Sequence, residues 1–298
     1  MKKMSPYFKG YFFAFLGTLA MSNVYIFSKA ALLEVGLIEF GFCWYGMAII
    51  WNLLYALPKK KYKTIRLLNK KSIKVLIIIG FIELIAATSF FVAIDRAENP
   101  ATLSFLTNLT PLFVTFLGFV ILQESFNKVG IIGIILTLLG AFIISFRGDH
   151  SFSDLLLPGA GLIFLSSFFV AIGIITAKKN IKIFDPGILA INRILFLFTF
   201  FFILLMSTGT TLAVSHKALF NIALGSLLGP FLATLSQYSA LQYIEASSTS
   251  LVQSTKGLFV LLGSFIYLGM FPMIHQIAGG ILSILGVVII ITGKSREI

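Results

Sequence analysis

Two charged residues stand inside long apolar runs of this chain. Lys256 lies within "SSTSLVQSTKGLFVLLGSFIYLG" (247–269), between Thr255 and Gly257, and Glu83 lies within "VLIIIGFIELIAATSFFVAI" (75–94). A charge facing hydrocarbon at the middle of a helix costs about 2.5–3.5 kcal/mol on insertion scales, so such residues turn inward and mark ion or substrate paths. Lys256 would lie roughly 10 Å along its span at 1.5 Å per residue, beside Gln253 rather than among leucines. Its ammonium could bind an anionic group, serve as a coupling charge, snorkel to headgroups or close an ion pair. Glu83 is too short and too deep to reach water easily, so it faces a cavity, is protonated, or is paired. A Glu83–Lys256 pair is the expected partnership, because both would sit at comparable depth. It could hold a closed state that substrate breaks, or release Glu83 to carry a proton.

The polar residues around these charges recur. At an offset of 146, Ser104, Thr107, Asn108 and Pro111 fall on Ser250, Gln253, Ser254 and Gly257. Each set has the spacing i, i+3, i+4, i+7, one face of a helix. Small hydroxyl and amide groups can simply hold membrane helices together, but a shared register in both halves points to a common cavity wall. Pro111 and Gly257 suggest local helix distortions that flex during a cycle. Thr18, Ser22, Tyr25 and Lys29 share one face of the first helix, and Gln237 is similarly deep in the eighth; these too are candidates for lining. Trp44 and Arg193, near the starts of helices 2 and 7, read better as anchors or packing groups. There is no HExxH, no pair of metal ligands, no phosphate-cradling glycine loop and no Ser/His/Asp constellation. The expectation is no cofactor, no metal and no enzyme, and any transport driven by a gradient or passive.

The elements that must position these residues are membrane spans. The sequence is 58% apolar and 11% charged, with a mean hydropathy of +1.00. A soluble domain has more polar surface than this. The apolar residues fall in runs long enough to cross a hydrocarbon core of roughly 30 Å. Ten spans are expected: Tyr11–Ala31, Phe40–Leu57, Ile73–Ile94, Ala101–Leu122, Val129–Phe146, Leu157–Ala177, Pro186–Met206, Phe220–Tyr243, Thr249–Met270 and Met273–Thr292. The net charge of +12 is not a nucleic-acid stripe, since eight of the 23 basic residues lie in one loop, "PKKKYKTIRLLNKKSIK", and most others flank spans. With the N-terminus in the cytoplasm, 17 basic residues fall inside and four outside (Lys29, Arg96, Arg147, Lys217), which places both termini inside.

The same offset carries Gly133 and Gly140 of helix 5 onto Gly279 and Gly286 of helix 10, positions that suit close helix packing. The chain therefore reads as a duplicated five-helix unit, residues 1–147 and 148–298. Five is odd, so the second copy enters the membrane from the other side. Inverted repeats of this kind build secondary transporters, with the substrate site near the midplane where the repeats meet.

The stretch "NPATLSFLTNLTPLFVTFLGFVILQESFNKVGIIGIILTLLGAFIIS", with its "NLTPLFV" run, Glu124 and the glycine-spaced helix that follows, resembles the EamA-type branch of the drug/metabolite transporter superfamily. The resemblance implies ten helices in a basket, with helices 1, 3, 4, 6, 8 and 9 around a central cavity, and metabolite export as the usual activity. Trp44 departs from it, standing where an arginine is common, while Arg193 keeps the arginine in the second half.

The expected fold is an all-α membrane protein, ten transmembrane helices forming two inverted five-helix repeats around a central cavity. The expected function is alternating-access export of a small metabolite such as an amino acid, with proton coupling through Glu83 as one mechanism. Lys256 tilts the ligand toward a carboxylate- or phosphate-bearing compound. Efflux of neutral or cationic drugs is the alternative, followed by a non-transporting membrane partner subunit. The expected setting is a bacterial inner (plasma) membrane. The expected partners are the lipid bilayer and a small-molecule substrate, not nucleic acid, and the chain is expected as a monomer or homodimer.

Overall fold

A computed structural model describes residues 5–56, 69–96, 107, 109–145, 160–268 and 274–294. Ser104, Asn108, Arg147 and the rest of 97–106, the expected start of the fourth span, lie outside the described residues. Ten helices follow one another: α1 (Pro6–Leu32), α2 (Leu37–Ala56), α3 (Lys70–Arg96), α4 (Leu109–Leu122), α5 (Lys128–Ser145), α6 (Ala160–Asn180), α7 (Pro186–Thr208), α8 (His216–Leu241), α9 (Ala246–Ser254 and Lys256–Leu268) and α10 (Ile274–Lys294). Six of these, α1, α2, α3, α6, α7 and α8, are long and apolar enough over their described residues to cross a membrane. The protein is a multi-pass membrane protein, and its outer faces agree: Phe116, Phe119, Ile203 and Ile266 are each more than half exposed, where lipid would solvate them.

Local signals set several helix ends. Ser5 accepts a hydrogen bond from the Phe8 amide at 3.2 Å, with Pro6 as the first helical residue. Asp185 does the same for Gly187 at 2.8 Å ahead of Pro186. Both follow the preference for a short polar cap before a proline that needs no N–H donor. Gly209 ends α7 in the left-handed region, at φ 62°, where a side chain is disfavoured.

The helices alternate in direction, so α1 starts and α10 ends at the same face of the bundle, called here the terminal face; the opposite one is the far face. The two five-helix repeats are inverted and meet along α5 and α10, which pack closely together. The contact is reciprocal. A Cβ on Gly133 would lie 2.8 Å from the Gly286 carbonyl oxygen, and one on Gly286 would lie 2.6 Å from that of Gly133. Gly140 faces Gly279 and Ser283 in the same way. Such an exchange of equivalent surfaces is the mark of a twofold relation, and only glycine lets the backbones approach this far.

Around this seam α3 packs on α6, α2 on α7, and α1 against both α8 and α9. On the far face Lys217 pairs with Glu34 at 3.0 Å, and Ser215 also hydrogen-bonds that carboxylate, joining the α1–α2 corner to the start of α8. The Ser215 and Lys217 contacts hold the Glu34 carboxyl below its ordinary range.

Two irregularities interrupt the regular helices. Residues Leu227–Ala233 of α8 form a π-helical turn with Pro230 inside it. The helix α9 breaks at Thr255, whose hydroxyl and amide both return to the Val252 carbonyl. Sequence had placed distortions at Pro111 and Gly257. Pro111 instead sits in the first turn of the described part of α4, where proline's missing N–H costs nothing. Gly257 is already in the second half of α9, two residues past the break.

Candidate functional site

A cavity of about 960 Å³, counting the part open at its mouth, lies between the repeats. Eight helices and Thr107, just ahead of α4, wall it. Tyr25 comes from α1, Trp44 and Tyr45 from α2, Phe90 and Phe91 from α3, and Thr107, Thr110 and Pro111 from the α4 region. Ser166 and Ser167 come from α6, Arg193 from α7, Pro230, Thr234 and Gln237 from α8, and Ser250, Gln253 and Lys256 from α9. The five rings form one side of the wall. Tyr25 meets Phe90 edge-on at 5.3 Å, and Phe91 contacts both Trp44 and Tyr45.

The equivalent positions of the two repeats face this space together. Thr107 and Gln253 both line it, as do Thr110 and Lys256. Thr107 shares a hydrogen bond with Tyr25 at 3.1 Å between their hydroxyl oxygens. The Ser167 and Ser250 hydroxyls are buried with no hydrogen-bond partner among the described residues, and both residues line the cavity. Buried polar atoms are nearly always partnered, so these two are groups a ligand or bound water can satisfy.

Not every residue marked from sequence reaches the cavity. Ser22 and Ser254 donate back to their own helices, to the Leu19 and Leu251 carbonyls, each at 2.7 Å, and neither lines the space. Serine in a helix often satisfies its hydroxyl in this local way, and the repeat pattern could not foretell it. Gly257 is buried in α9 off the cavity wall.

The two charges that opened the sequence do not meet as expected. Glu83 is 6% exposed and does not face Lys256. Its Oε1 accepts a hydrogen bond from the Tyr238 hydroxyl at 2.9 Å, and its Oε2 lies 3.3 Å from Arg193 Nε. The Nε–H is not aligned for a hydrogen bond, so the Arg193 contact is an ion pair rather than a directed bond. Gly173 of α6 makes room for the carboxylate, since a Cβ there would lie 3.1 Å from Oε1. The physical reason for the changed pairing is position: Arg193, seven residues into α7, is closer to the interior than an anchor at the helix start would be. Its guanidinium lines the cavity, with 21% of its side chain exposed against 8% for Glu83. It also contacts the Thr234 hydroxyl at 3.4 Å, and Thr234 in turn donates to the Gly229 carbonyl inside the π turn.

Lys256 begins the second half of α9, just past the break at Thr255. Its ammonium lies over the Tyr25 ring, 5.8 Å from the centroid, and among the described residues no carboxylate pairs with it. Trp44 is fully buried, its ring edge reaching the cavity and filling the space that Gly225 leaves.

Sequence reasoning missed Tyr238, Thr234, Ser166, Ser167 and three rings of the aromatic wall, Tyr45, Phe90 and Phe91. Pro230 was the one available signal, a proline in the middle of an expected span. Glu124 was noticed but not given a role. It stands after Gln123, which takes a left-handed conformation at φ 56°. Its carboxylate accepts the Ala246 amide at 2.7 Å and the Ser247 amide at 3.0 Å, along with the Ser247 hydroxyl. Glu124 thus caps the start of α9 from the other repeat, favourable both for the orphan N–H groups and for the helix dipole.

A family model of the EamA-like transporter family matches residues 8–146 and again 157–292. No curated protein matches the sequence. A solved structure titled only "Crystal structure of protein" superposes with a TM-score of 0.75 at 11% identity, over 97% of this chain and 98% of that one. At that identity the likeness concerns the fold alone.

Proposed function

Because this chain belongs to the EamA-like transporter family, a membrane transporter family of the drug/metabolite type, we propose that it exports small metabolites bearing a carboxylate or phosphate group, driven by a gradient. The observation that carries this reading is Lys256: a cation on the cavity wall, over an aromatic face, with no carboxylate against it among the described residues. Sites for small molecules are concave, largely apolar and furnished with a few polar groups that fix orientation, and this cavity has that composition. The 17-to-4 distribution of basic residues supports cytoplasmic termini, in a cell membrane as the proposed setting.

The proposed cycle is a rocking of the two repeats about the α5–α10 seam, exposing the cavity first at one face and then at the other. At the terminal face, contacts among the described residues draw α6, α8, α9 and α1 together. Lys178 donates to the Leu241 and Ile244 carbonyls at 2.8 and 2.7 Å, fixing the end of α8. Glu124 fixes the start of α9 beside it, and Gly10 of α1 packs against Tyr243 and Ile244.

The test is efflux from proteoliposomes loaded with a panel of organic anions, amino acids and neutral drugs. Export of acid-bearing compounds, weakened at least tenfold in efficiency by Lys256→Ala, is expected from loss of one charge-assisted contact worth about 1.5–3 kcal/mol. Flux restricted to neutral or cationic drugs would overturn the substrate reading, and no flux of anything would favour a non-transporting subunit.

A further inference from the structure

The charges of the cavity wall do not balance. Arg193 is matched by Glu83 behind it, whose two oxygens are taken by Arg193 and Tyr238. Among the described residues, Lys256 meets the face of Tyr25, 5.8 Å away, and no carboxylate. Among the described residues, no aspartate or glutamate lines the cavity. The described carboxylates elsewhere are engaged at the bundle's ends: Glu34 with Lys217, Glu124 and Glu245 at the start of α9, Asp185 at the start of α7. Glu39 and Asp95 stand at helix ends on the far face, and Glu98, Asp149, Asp154 and Glu297 lie outside the described residues.

The described wall therefore carries one positive charge more than it neutralises, in surroundings where an unmatched charge is costly. A zwitterionic amino acid would bring a carboxylate to Lys256 but also an ammonium that finds no carboxylate on this wall. A cation would add to the excess. Only a ligand with a net charge of −1 cancels it. The aromatic rings of Tyr25, Trp44, Tyr45, Phe90 and Phe91 then offer a flat apolar surface to the rest of such a molecule. The free hydroxyls of Ser167 and Ser250 remain as hydrogen-bonding groups.

Resting on the transporter reading above, we infer that the ligand of this cavity is a net organic monoanion with an apolar or aromatic body, rather than a zwitterionic amino acid, and that Lys256 sets this preference. The aromatic wall selects the body and the unmatched lysine selects the charge.

Three compounds with one phenyl body separate the charge classes: 3-phenylpropionate (anion), phenylalanine (zwitterion) and phenethylamine (cation). Their binding to the purified full chain in detergent is measured by equilibrium dialysis of the labelled compounds. The expected result is 3-phenylpropionate bound at least tenfold tighter than phenylalanine, and phenethylamine not bound. Lys256→Gln should reduce that ratio to within about threefold, and Lys256→Arg should keep it. Size-exclusion elution and thermal unfolding of each variant identify any that fails to fold, in which case Lys256→Arg alone decides whether a cation at this position suffices. Phenylalanine binding as tightly as 3-phenylpropionate, a preference that survives Lys256→Gln, or no binding of any of the three would overturn the inference. Lysine-dependent flux of phenylalanine in proteoliposomes would sink this inference while leaving the export of acid-bearing metabolites standing.

Discussion

At the scale of single residues, the buried Glu83–Arg193 contact is the most consequential departure from what the sequence suggested. Both side chains sit inside the bundle, so removing one partner strands the other. Breaking a fully buried pair costs about 3–5 kcal/mol; with 21% of the Arg193 side chain exposed, roughly 2–4 kcal/mol is the better expectation for Glu83→Gln. The double variant Glu83→Gln/Arg193→Gln should recover more than half of that loss, because neither charge is then left alone. Apparent melting temperatures of the two single variants and the double variant in one detergent check this, and additive losses would show that the two side chains do not act as a pair. The charges were legible in sequence as functional anomalies because a lone Glu in an apolar run has no other account. Their pairing was not legible. The spacing that gives depth along each helix says nothing about rotation, and rotation decides whether α3 turns Glu83 toward α7 or toward α9. Depth alone pointed to Lys256, while Arg193 read as an anchor or packing group near the start of α7.

At the scale of elements, the ten helices were readable because each is a long apolar run ended by short polar links. Most ends fall within a few residues of expectation, and caps such as Ser5 and Asp185 extend α1 and fix α7. The start of α9 was not readable as a cap. Glu245 occupies its own N-cap position but makes no capping bond with its side chain, and the carboxylate that does the work is Glu124, from the other repeat. Gly118 belongs to the same arrangement, since a Cβ there would come within 2.8 Å of Glu124 Oε2. Glu124→Ala should therefore cost about 1–2 kcal/mol, the range for losing a helix cap. Hydrogen exchange should rise at Ala246 and Ser247 before the rest of α9; unchanged protection there would show that the cap is idle. The α5–α10 seam makes a second prediction of the same scale. Leucine at Gly140 would drive a side chain into the Ser283 backbone and the Gly279 carbonyl, which cannot yield as a side-chain tip could. Overpacking of this kind costs about 1–3 kcal/mol or more. Gly140→Leu should lower the melting temperature clearly more than Gly161→Leu on α6, where an added Cβ meets nothing within 4 Å. Equal effects would mean that the seam is looser than the contacts imply.

For the whole molecule, the proposed cycle requires that the contacts at the terminal face be a balance between states and not a fixed wall. Three contacts hold the described helix ends together there: Lys178 on the last carbonyls of α8, Glu124 on the first amides of α9, and Gly10 against the turn between them. The first is the best lever. The lysine lies on α6, the carbonyls it holds belong to α8 and the following turn, and neither partner lines the cavity. Losing a charge-assisted contact worth about 1.5–3 kcal/mol would shift an equilibrium between two states by roughly tenfold or more. Cys43 is the only cysteine in the chain, so a Cys43→Ser background lets a single cysteine at Ser250, on the cavity wall, report access. Lys178→Ala should then raise labelling of that cysteine by a membrane-impermeant maleimide from the terminal face about tenfold. If the other two contacts alone hold these helix ends together, labelling will stay at its original level and Lys178 will prove to be a helix cap only. A rise in labelling with the melting temperature nearly unchanged is the outcome that separates gating from simple loosening, because a bundle coming apart would expose Ser250 from both faces at once.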